Sequence, residues 1–304
     1  MYFFIFGASF LKYNFENQTD STVLKKDFYN LKKILELAYK MDLEKICLEV
    51  CELAKETGSF IRNEARKFST DMVEVKGSNN FVSYVDKTSE KKIIEGLSKL
   101  LPGSGFIAEE ETTKESEAVF QWIIDPLDGT TNFIHGLPPY AISIALMEGK
   151  DIVLGVVYEI FASECFYAWK DSKAYLNGKE IQVSKSAKIS DSLIATGFPY
   201  YDYSLVKPFL DSLNYFFVNS HGVRRIGSAA TDIAYVACGR FDAFYEYGLH
   251  AWDVAAGSII LKQAGGKVSD FKGGGNYIFG SEYIASNSNI YSEFLEIVNK
   301  FLSR

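Results

Sequence analysis

Apolar residues begin to recur every three or four positions at Leu43, and this spacing continues to Phe68. Such a stripe is typical of the buried face of an amphipathic helix. A polar loop follows at 76–80, and a second helical pattern runs over 86–100 until Pro102-Gly103 ends it. The pattern therefore predicts two helices before the main run of strands.

Three apolar segments then alternate with short turns. They cover 140–148, 151–158 and 164–170, and turn residues stand at Gly149 and at Asn177-Gly178. Turns of this composition join antiparallel strands. We therefore expect an antiparallel sheet in the middle of the chain.

The second half alternates strands with helices. We predict strands at 193–197, near 224 and at 241–246, with helices at 202–217, 228–238, 252–264 and 290–302. The sequence contains no internal repeat and no long linker. This order indicates a layered α/β fold of two closely packed halves that meet near residue 190.

Composition narrows the classes of function. The chain has 304 residues, of which 47% are apolar and 23% are charged, with a formal net charge of −7. Nucleic acids and anionic membranes require a basic surface, so we expect neither as a partner. The spacing of the cysteines fits neither a zinc site nor a disulfide framework, which favours reduced thiols and a cytoplasmic location. These cysteines are Cys47, Cys51, Cys165 and Cys238.

Residues 1–40 differ from the rest of the chain. The apolar start at 1–6 lacks a preceding basic residue and soon gives way to polar residues, unlike a secretion signal. Met41 stands directly before the first helical stripe. We expect 1–40 to be a dispensable extension and 41–304 to be a single domain; a short membrane-surface anchor is the alternative for 1–40.

The stretch 122–131 (Trp-Ile-Ile-Asp-Pro-Leu-Asp-Gly-Thr-Thr) carries the most chemistry. An apolar strand leads to Asp125, and Pro126 has no N–H for the ladder, so we expect the strand to end and the chain to turn there. The turn can bring the Leu127 carbonyl and the Asp128 carboxylate toward Asp125. The glycine and threonines that follow allow a tight turn with free N–H groups, which suits a phosphate.

Other acids decide how this stretch is interpreted, because an isolated Asp-x-x-Asp is usually a solvated turn. Glu109-Glu110 follow another short apolar run, and Asp253 stands at the start of an apolar helix. Carboxylates gathered at the ends of such elements repel one another unless a cation binds. Their oxygens, with a carbonyl, favour Mg²⁺ or Mn²⁺ over zinc. The sequence thus predicts a metal site.

From about residue 41 to its end, the chain resembles the inositol monophosphatase family. Three motifs carry the resemblance, in this order: 108–110 (Ala-Glu-Glu), 125–131 (Asp-Pro-Leu-Asp-Gly-Thr-Thr) and 252–257 (Trp-Asp-Val-Ala-Ala-Gly). The resemblance implies a five-layer α-β-α-β-α sandwich. It also implies Mg²⁺-dependent hydrolysis of phosphate monoesters, which Li⁺ inhibits.

The same resemblance implies two to three Mg²⁺ ions, for which Mn²⁺ can substitute. Asp125 would bridge the first two ions, and the third would lie near Glu109 and Asp86. Glu109 and the Thr130 hydroxyl would orient and deprotonate the attacking water. The implied catalytic residues are thus Glu109, Thr130 and Asp86. The implied metal ligands are Glu109, Asp125, Leu127 through its carbonyl, Asp128 and Asp253.

Further positions match the family's substrate contacts. The implied contacts are Asp128, Gly129, Thr130, Gly227, Ser228, Ala229 and Glu246. Lys76 matches a loop lysine near the third ion, although a solvated loop charge is the alternative. Asp232 would face inward on the predicted helix 228–238, where we expect a structural role.

Several functions share these motifs. Inositol-1-phosphate is the first candidate substrate, and a 3′(2′),5′-bisphosphate nucleotide, fructose 1,6-bisphosphate and histidinol phosphate are alternatives. A different class is a regulatory protein that keeps the fold and acts through a partner surface. Homodimers are usual in the family, so we expect one here. The chain has no G-x-x-x-x-G-K-[ST] segment, which argues against a P-loop NTPase.

Overall fold

A computed structural model describes residues 22–67, 73–77, 80–110, 118–199 and 203–303. The chain divides into two compact units, Met1–Asp42 and Leu43–Arg304. Within the described residues, no helix combines the length and the apolar character that crossing a bilayer requires.

The helices, numbered in chain order, lie mostly near the predicted positions. They are α1 Thr22–Ala65, α2 Tyr84–Leu100, α3 Thr130–Ile134, α4 Val206–Asn219, α5 Ala229–Ala237, α6 Ala251–Gln263 and α7 Tyr291–Leu302. The first helix is the exception, because it begins at Thr22 and runs through Met41 without a break. The apolar stripe that begins at Leu43 includes buried residues of α1, among them Cys47, Val50 and Ala54, which are inaccessible to solvent.

The strands form three sheets. They are β1 Val73–Gly77, β2 Asn80–Ser83, β3 Gly105–Ala108, β4 Phe120–Asp128, β5 Ala141–Glu148, β6 Asp151–Glu159, β7 Glu164–Trp169, β8 Ala174–Leu176, β9 Lys179–Ile181, β10 Leu193–Thr196, β11 Gly222–Arg224, β12 Ala243–Tyr247, β13 Gly266–Ser269 and β14 Glu282–Asn287. β1 and β2 pair as a small separate ribbon.

The larger sheet has seven strands in the order β3-β4-β5-β6-β7-β8-β9. β3 runs parallel to β4, and the other neighbours are antiparallel. Tight turns make this meander, because Gly149, Asn177 and Gly178 all adopt the positive φ that short hairpin loops require. The predicted antiparallel sheet is thus present.

The second sheet has five strands in the order β11-β10-β12-β14-β13. β10 runs parallel to both of its neighbours, whereas β12, β14 and β13 pair antiparallel. The larger sheet ends at Ile181 and the second begins at Leu193, on either side of residue 190.

Helices separate and cover the two sheets. α5 and α6 share one buried core with strands of both sheets, to which Ile123, Val157, Ile233, Ile260 and Tyr283 contribute. α4 and α7 cover the outer face of the second sheet, and α1 and α2 pack against the larger one. The predicted five-layer α-β-α-β-α sandwich is confirmed.

α6 occupies the centre of this sandwich. Its residues are buried on every side from Val254 to Leu261, as expected for a helix that is apolar all round. Two glycines permit its close packing. A Cβ on Gly155 of β6 would lie 2.5 Å from the Ala256 carbonyl oxygen, and one on Gly257 would lie 2.7 Å from Ile233 of α5.

Candidate functional site

β4 delivers two acids to one place through an irregularity in its ladder. Asp125 pairs with Ser143 of β5 and Asp128 pairs with Ala141, so β4 carries one more residue than its partner over this interval. Such an extra residue is a β-bulge, which redirects side chains. The sequence prediction that the strand ends at Asp125 is therefore wrong: Pro126 lies in a bulge, and β4 continues to Asp128.

The third acid comes from the first turn of α6. The backbone N–H of His250 donates to Asp253 Oδ2 at 2.7 Å, which holds this carboxylate at the helix N-terminus, where the helix dipole favours negative charge. Asp125, Asp128 and Asp253 each place a carboxylate oxygen so that all three oxygens lie within 4.8 Å of one another. Three hard oxygen donors at this spacing suit a hard divalent cation.

Burial and mutual repulsion make these carboxylates unusual acids. Burial is the largest cause in every case: it raises the pKa of Asp128 to about 6 and that of Asp253 to about 8. The pKa values of Asp125 and Glu109 lie well above their usual range because of burial and the neighbouring carboxylates. A bound cation would offset this repulsion.

Glu109 reaches the cluster because β3 lies parallel to β4. Ala108 pairs with Ile124, and the Glu109 N–H donates to the Ile124 carbonyl at 3.2 Å. The first residue after β3 thus lies beside the end of the apolar part of β4. Glu109 contributes to the same cavity as Asp125.

Thr130 links the cluster of acids to Asp86 of α2. Its hydroxyl lies 3.0 Å from Asp86 Oδ1 and 3.0 Å from the Leu127 carbonyl oxygen, so its single proton is shared between two acceptors. Asp86 is 1% exposed and does not line the cavity itself. Lys76 lies in β1, and its side chain falls outside the described residues.

Asp128 also joins the cluster to α5. Its Oδ2 accepts from the Ser228 hydroxyl at 2.6 Å and from the Ala230 N–H at 2.7 Å. Gly129 adopts φ +95°, and a Cβ there would lie 3.1 Å from the Gly227 carbonyl oxygen. The glycines therefore allow the loop after β4 to lie directly against the loop before α5.

One cavity gathers nearly all residues singled out from the sequence. Those that line it are Glu109, Asp125, Leu127, Asp128, Gly129, Thr130, Gly227, Ser228, Ala229, Glu246 and Asp253. Glu246 comes from β12, is 8% exposed and lies close against Gly197. The cavity thus takes residues from both sheets and from the central helices.

The cavity also includes residues that sequence reasoning missed or placed elsewhere. Gly197, Arg225, Asp232, His250 and Trp252 line it. Arg225 stacks its guanidinium over Phe198, with Cζ 5.2 Å from the ring centroid. Trp252 is the first residue of the motif 252–257, and Arg225 precedes Gly227 by two residues, so both positions carried a signal. Nothing in the sequence pointed to Gly197.

Comparison with known proteins agrees with this geometry. The model of the inositol monophosphatase family matches residues 42–302. The chain belongs to the inositol monophosphatase family. An inositol-1-monophosphatase of Mesorhizobium japonicum is 39% identical over 253 residues, which cover 83% of this chain and 95% of that protein. The Nus factor SuhB of Escherichia coli strain K12 is 40% identical, with coverage of 82% and 94%.

Solved structures agree with the family assignment. The extragenic suppressor protein suhB of Bartonella henselae matches with a TM-score of 0.77 at 36% identity and covers 83% of this chain and 97% of that one. The inositol monophosphatase of Anabaena (Nostoc) sp. PCC 7120 matches with a TM-score of 0.75 at 31% identity, with coverage of 86% and 97%. The protein is a phosphoric monoester hydrolase of a metal-dependent family, which acts on a small phosphate ester.

Proposed function

We propose that the chain hydrolyses inositol-1-phosphate to inositol and phosphate with Mg²⁺. The main support for this proposal is the arrangement of three acids, Asp125, Asp128 and Asp253. Their carboxylate oxygens lie within 4.8 Å of one another in the cavity that Glu246 also lines. The trio supplies the metal chemistry, and Glu246 supplies a contact for a hydroxylated leaving group.

The donor set fits Mg²⁺. All of its atoms are carboxylate or carbonyl oxygens, which hard cations prefer, and Mn²⁺ can substitute. Glu109, Asp125 and the Leu127 carbonyl would hold a first ion, and Asp125, Asp128 and Asp253 a second. A third would lie near Glu109 and Asp86. The raised pKa values of Glu109 and Asp125 support this assignment, because burial and then the neighbouring carboxylates disfavour their ionised forms, which a cation would favour.

The chain's own residues would prepare the attack. Bound Mg²⁺ would supply Lewis-acid activation of water and charge neutralisation at the phosphate. Glu109 would accept a proton from the attacking water. The Thr130 hydroxyl, held by Asp86 at 3.0 Å, would orient that water. The amides of Gly129 and Thr130 would donate to the phosphate oxygens, since first-turn N–H groups have no partner within the helix.

The leaving group would lie toward α5 and β12. Gly227, Ser228 and Ala229 line this part of the cavity, and Glu246 adds a carboxyl group. Asp128 has one oxygen held by Ser228 and Ala230, which leaves the other for metal or for a ring hydroxyl. A polyol suits such a wall because its hydroxyls supply hydrogen-bond donors.

A panel of substrates tests the proposal. Phosphate release is measured from inositol-1-phosphate, fructose 1,6-bisphosphate, adenosine 3′,5′-bisphosphate and histidinol phosphate, each with Mg²⁺, with EDTA and with added Li⁺. We expect Mg²⁺-dependent release, fastest from inositol-1-phosphate and inhibited by Li⁺. Faster release from another ester would replace the substrate but keep the class. Undiminished release in EDTA would contradict the metal assignment.

A second role is favoured by one finding, the 40% identity to a protein named Nus factor SuhB. We propose as second candidate that the chain also acts through a partner surface. Expression of the wild-type chain and of Asp125→Asn in Escherichia coli without its own SuhB separates the roles. Rescue of growth by both supports a partner role without turnover. Failure of both contradicts that role.

We also propose a cytoplasmic homodimer. The four cysteines are free thiols, three of them buried, which suits a reducing compartment. Light scattering of the purified chain gives the mass: a monomer of 34.2 kDa at micromolar concentration would contradict the dimer.

A further inference from the structure

Besides the proposed metal ligands, the cavity contains a second group of ionisable side chains. Asp232 of α5, Glu246 of β12 and Arg225 all line it. Asp232 is 1% exposed and Glu246 is 8% exposed. Glu246 was predicted as a contact for ring hydroxyls, whereas Asp232 was predicted to be structural.

One carboxyl oxygen of Asp232 lacks the hydrogen bonds expected of a structural acid. Its Oδ1 is buried and has no hydrogen-bond partner among the described residues. Asp128, in the same cavity, has one oxygen bonded to both Ser228 and Ala230. A buried carboxyl oxygen without a donor is destabilising and needs an explanation. On a cavity wall, a donor brought by the ligand is such an explanation.

The neighbours of Asp232 belong to the leaving-group side. After burial, the largest influence on its pKa is the charge of Glu246, which raises it, while Arg225 lowers it. Arg225 lies over Gly227, where a Cβ would be 2.7 Å from Nη1. Asp232 therefore shares the cavity wall with Glu246, Arg225 and Asp128, whose charges act on it.

We propose that Asp232 is a specificity-determining residue that, together with Glu246, hydrogen-bonds the hydroxyls of a polyol leaving group. The inference rests on the proposed function and extends it from one carboxyl group to two. Neighbouring hydroxyls on a ring offer several donors at close spacing, and two carboxyl groups on one wall can accept from different ones. A leaving group without hydroxyls would leave both acids without donors, so the wall would discriminate against it.

Asp232→Asn tests the proposal with two substrates of equal ring size. Inositol-1-phosphate has ring hydroxyls, and cyclohexyl phosphate has none. We expect the variant to lower kcat/KM for inositol-1-phosphate by about tenfold, because an amide oxygen is a weaker acceptor than a carboxylate oxygen, and to change kcat/KM for cyclohexyl phosphate less than about twofold. Equal changes for both substrates, or no change, would overturn the proposal.

Inhibition by myo-inositol gives a second readout. With cyclohexyl phosphate as the reporter substrate, we expect the inhibition constant of myo-inositol to rise about tenfold in Asp232→Asn. An unchanged constant would overturn direct contact with hydroxyls. If Asp232→Asn does not fold, Asp232→Ser serves in both assays. It removes the carboxyl group, and the smaller serine side chain fits the site.

Two further variants separate contact from positioning. Asp242→Asn changes another buried acid, which accepts from Ser184 and the Leu193 N–H outside the cavity; it should lower the melting temperature and leave the substrate ratio unchanged. A double variant with Glu246→Gln should lose more selectivity than Glu246→Gln alone. Selectivity equal to that of Glu246→Gln would mean that Asp232 acts only through Glu246, and would overturn the proposal.

Failure of the proposed function would give a different experimental result from failure of this inference alone. If the wild-type chain releases phosphate from inositol-1-phosphate no faster than from cyclohexyl phosphate, the polyol assignment fails and the inference fails with it. If the wild-type chain prefers inositol-1-phosphate and Asp232→Asn keeps that preference, only the inference fails.

Discussion

Asp125, Asp128 and Asp253 hold three carboxyl groups close together in a buried place, which destabilises the metal-free chain. The pKa of Asp253 is raised from 3.8 to about 8 and that of Asp128 from 3.8 to about 6, chiefly by burial. The folded chain therefore binds more protons than the unfolded chain over this interval. It follows that the free energy of unfolding decreases as pH rises from about 4 to about 8.

This pH dependence is testable by chemical denaturation in EDTA. We expect the metal-free chain to lose stability between about pH 4 and pH 8 and the slope to be smaller in Asp253→Asn. Added Mg²⁺ should weaken the loss, because a cation favours the ionised acids. Stability that increases with pH in EDTA would show that these acids do not dominate the folded state.

Replacement of a single acid should separate activity from stability. Asp125→Asn and Asp253→Asn should each abolish turnover, since each removes a proposed metal ligand. Each should also melt at or above the wild-type temperature in EDTA, because one like charge is gone. Melting with and without Mg²⁺ checks this: the wild-type melting temperature should rise with Mg²⁺, and those of the variants should rise less. Retained turnover in either variant would remove the ligand assignment.

Gly197 shows how a residue without a functional group shapes the site. A Cβ at this position would overlap the Glu246 carboxyl group. We therefore expect Gly197→Ala to displace Glu246 and to raise KM for inositol-1-phosphate about tenfold while kcat changes less. Gly275→Ala is the matched control, because a Cβ there meets nothing within 4 Å. An unchanged KM in Gly197→Ala would show that Glu246 does not contact the substrate.

At the scale of elements, the position of α6 decides where Asp253 lies. A Cβ on Gly155 of β6 would lie 2.5 Å from the Ala256 carbonyl oxygen and 2.6 Å from Ile259. Gly155→Ala should therefore push α6 away from the sheet and lower the free energy of unfolding by about 1–3 kcal/mol.

The same shift should weaken metal binding, since α6 carries one of the three acids. The measurement is the rise of the melting temperature with Mg²⁺, which should be smaller in Gly155→Ala than in the wild-type chain and in Gly275→Ala. A lower melting temperature with an unchanged response to Mg²⁺ would show that α6 adjusts without moving Asp253.

The helices and strands also show which parts of the fold can be predicted from sequence patterns. The spacing of apolar residues predicted α2, α6 and α7 closely, and turn residues predicted the hairpins of the larger sheet. The bulge in β4 was not predicted, because Pro126 by itself signals the end of a ladder and only the register with β5 shows that pairing resumes. The start of α1 at Thr22 was missed because the predicted helix was placed only where the recognised apolar stripe begins, at Leu43.

The same limit applies to the site. Acid motifs are local in sequence, and Asp125, Asp128 and Asp253 could therefore be singled out. Gly197 and Asp232 line the cavity only because β10 and α5 pack beside β12. Contacts between distant segments leave no periodic signal in a single sequence.

At the scale of the molecule, the compact unit Leu43–Arg304 contains every strand among the described residues and the whole cavity. We expect a chain that starts at Met41 to fold and to keep the wild-type kcat/KM within about twofold, because the buried residues of α1, such as Cys47 and Ile61, remain. Circular dichroism and the phosphate assay check this. An insoluble or inactive protein would show that residues 1–40 contribute to the fold or to activity.

The seven-stranded sheet and α6 supply the acid trio from distant parts of the chain, and this sets an order of events on the ribosome. A nascent chain that has emerged up to β9 holds Asp125 and Asp128 but not Asp253, which belongs to a later segment. The cation can therefore stabilise the protein through all three acids only after most of the polypeptide has been translated. Until then the larger sheet has only its own packing, and its apolar face lacks the cover that α5 and α6 later provide.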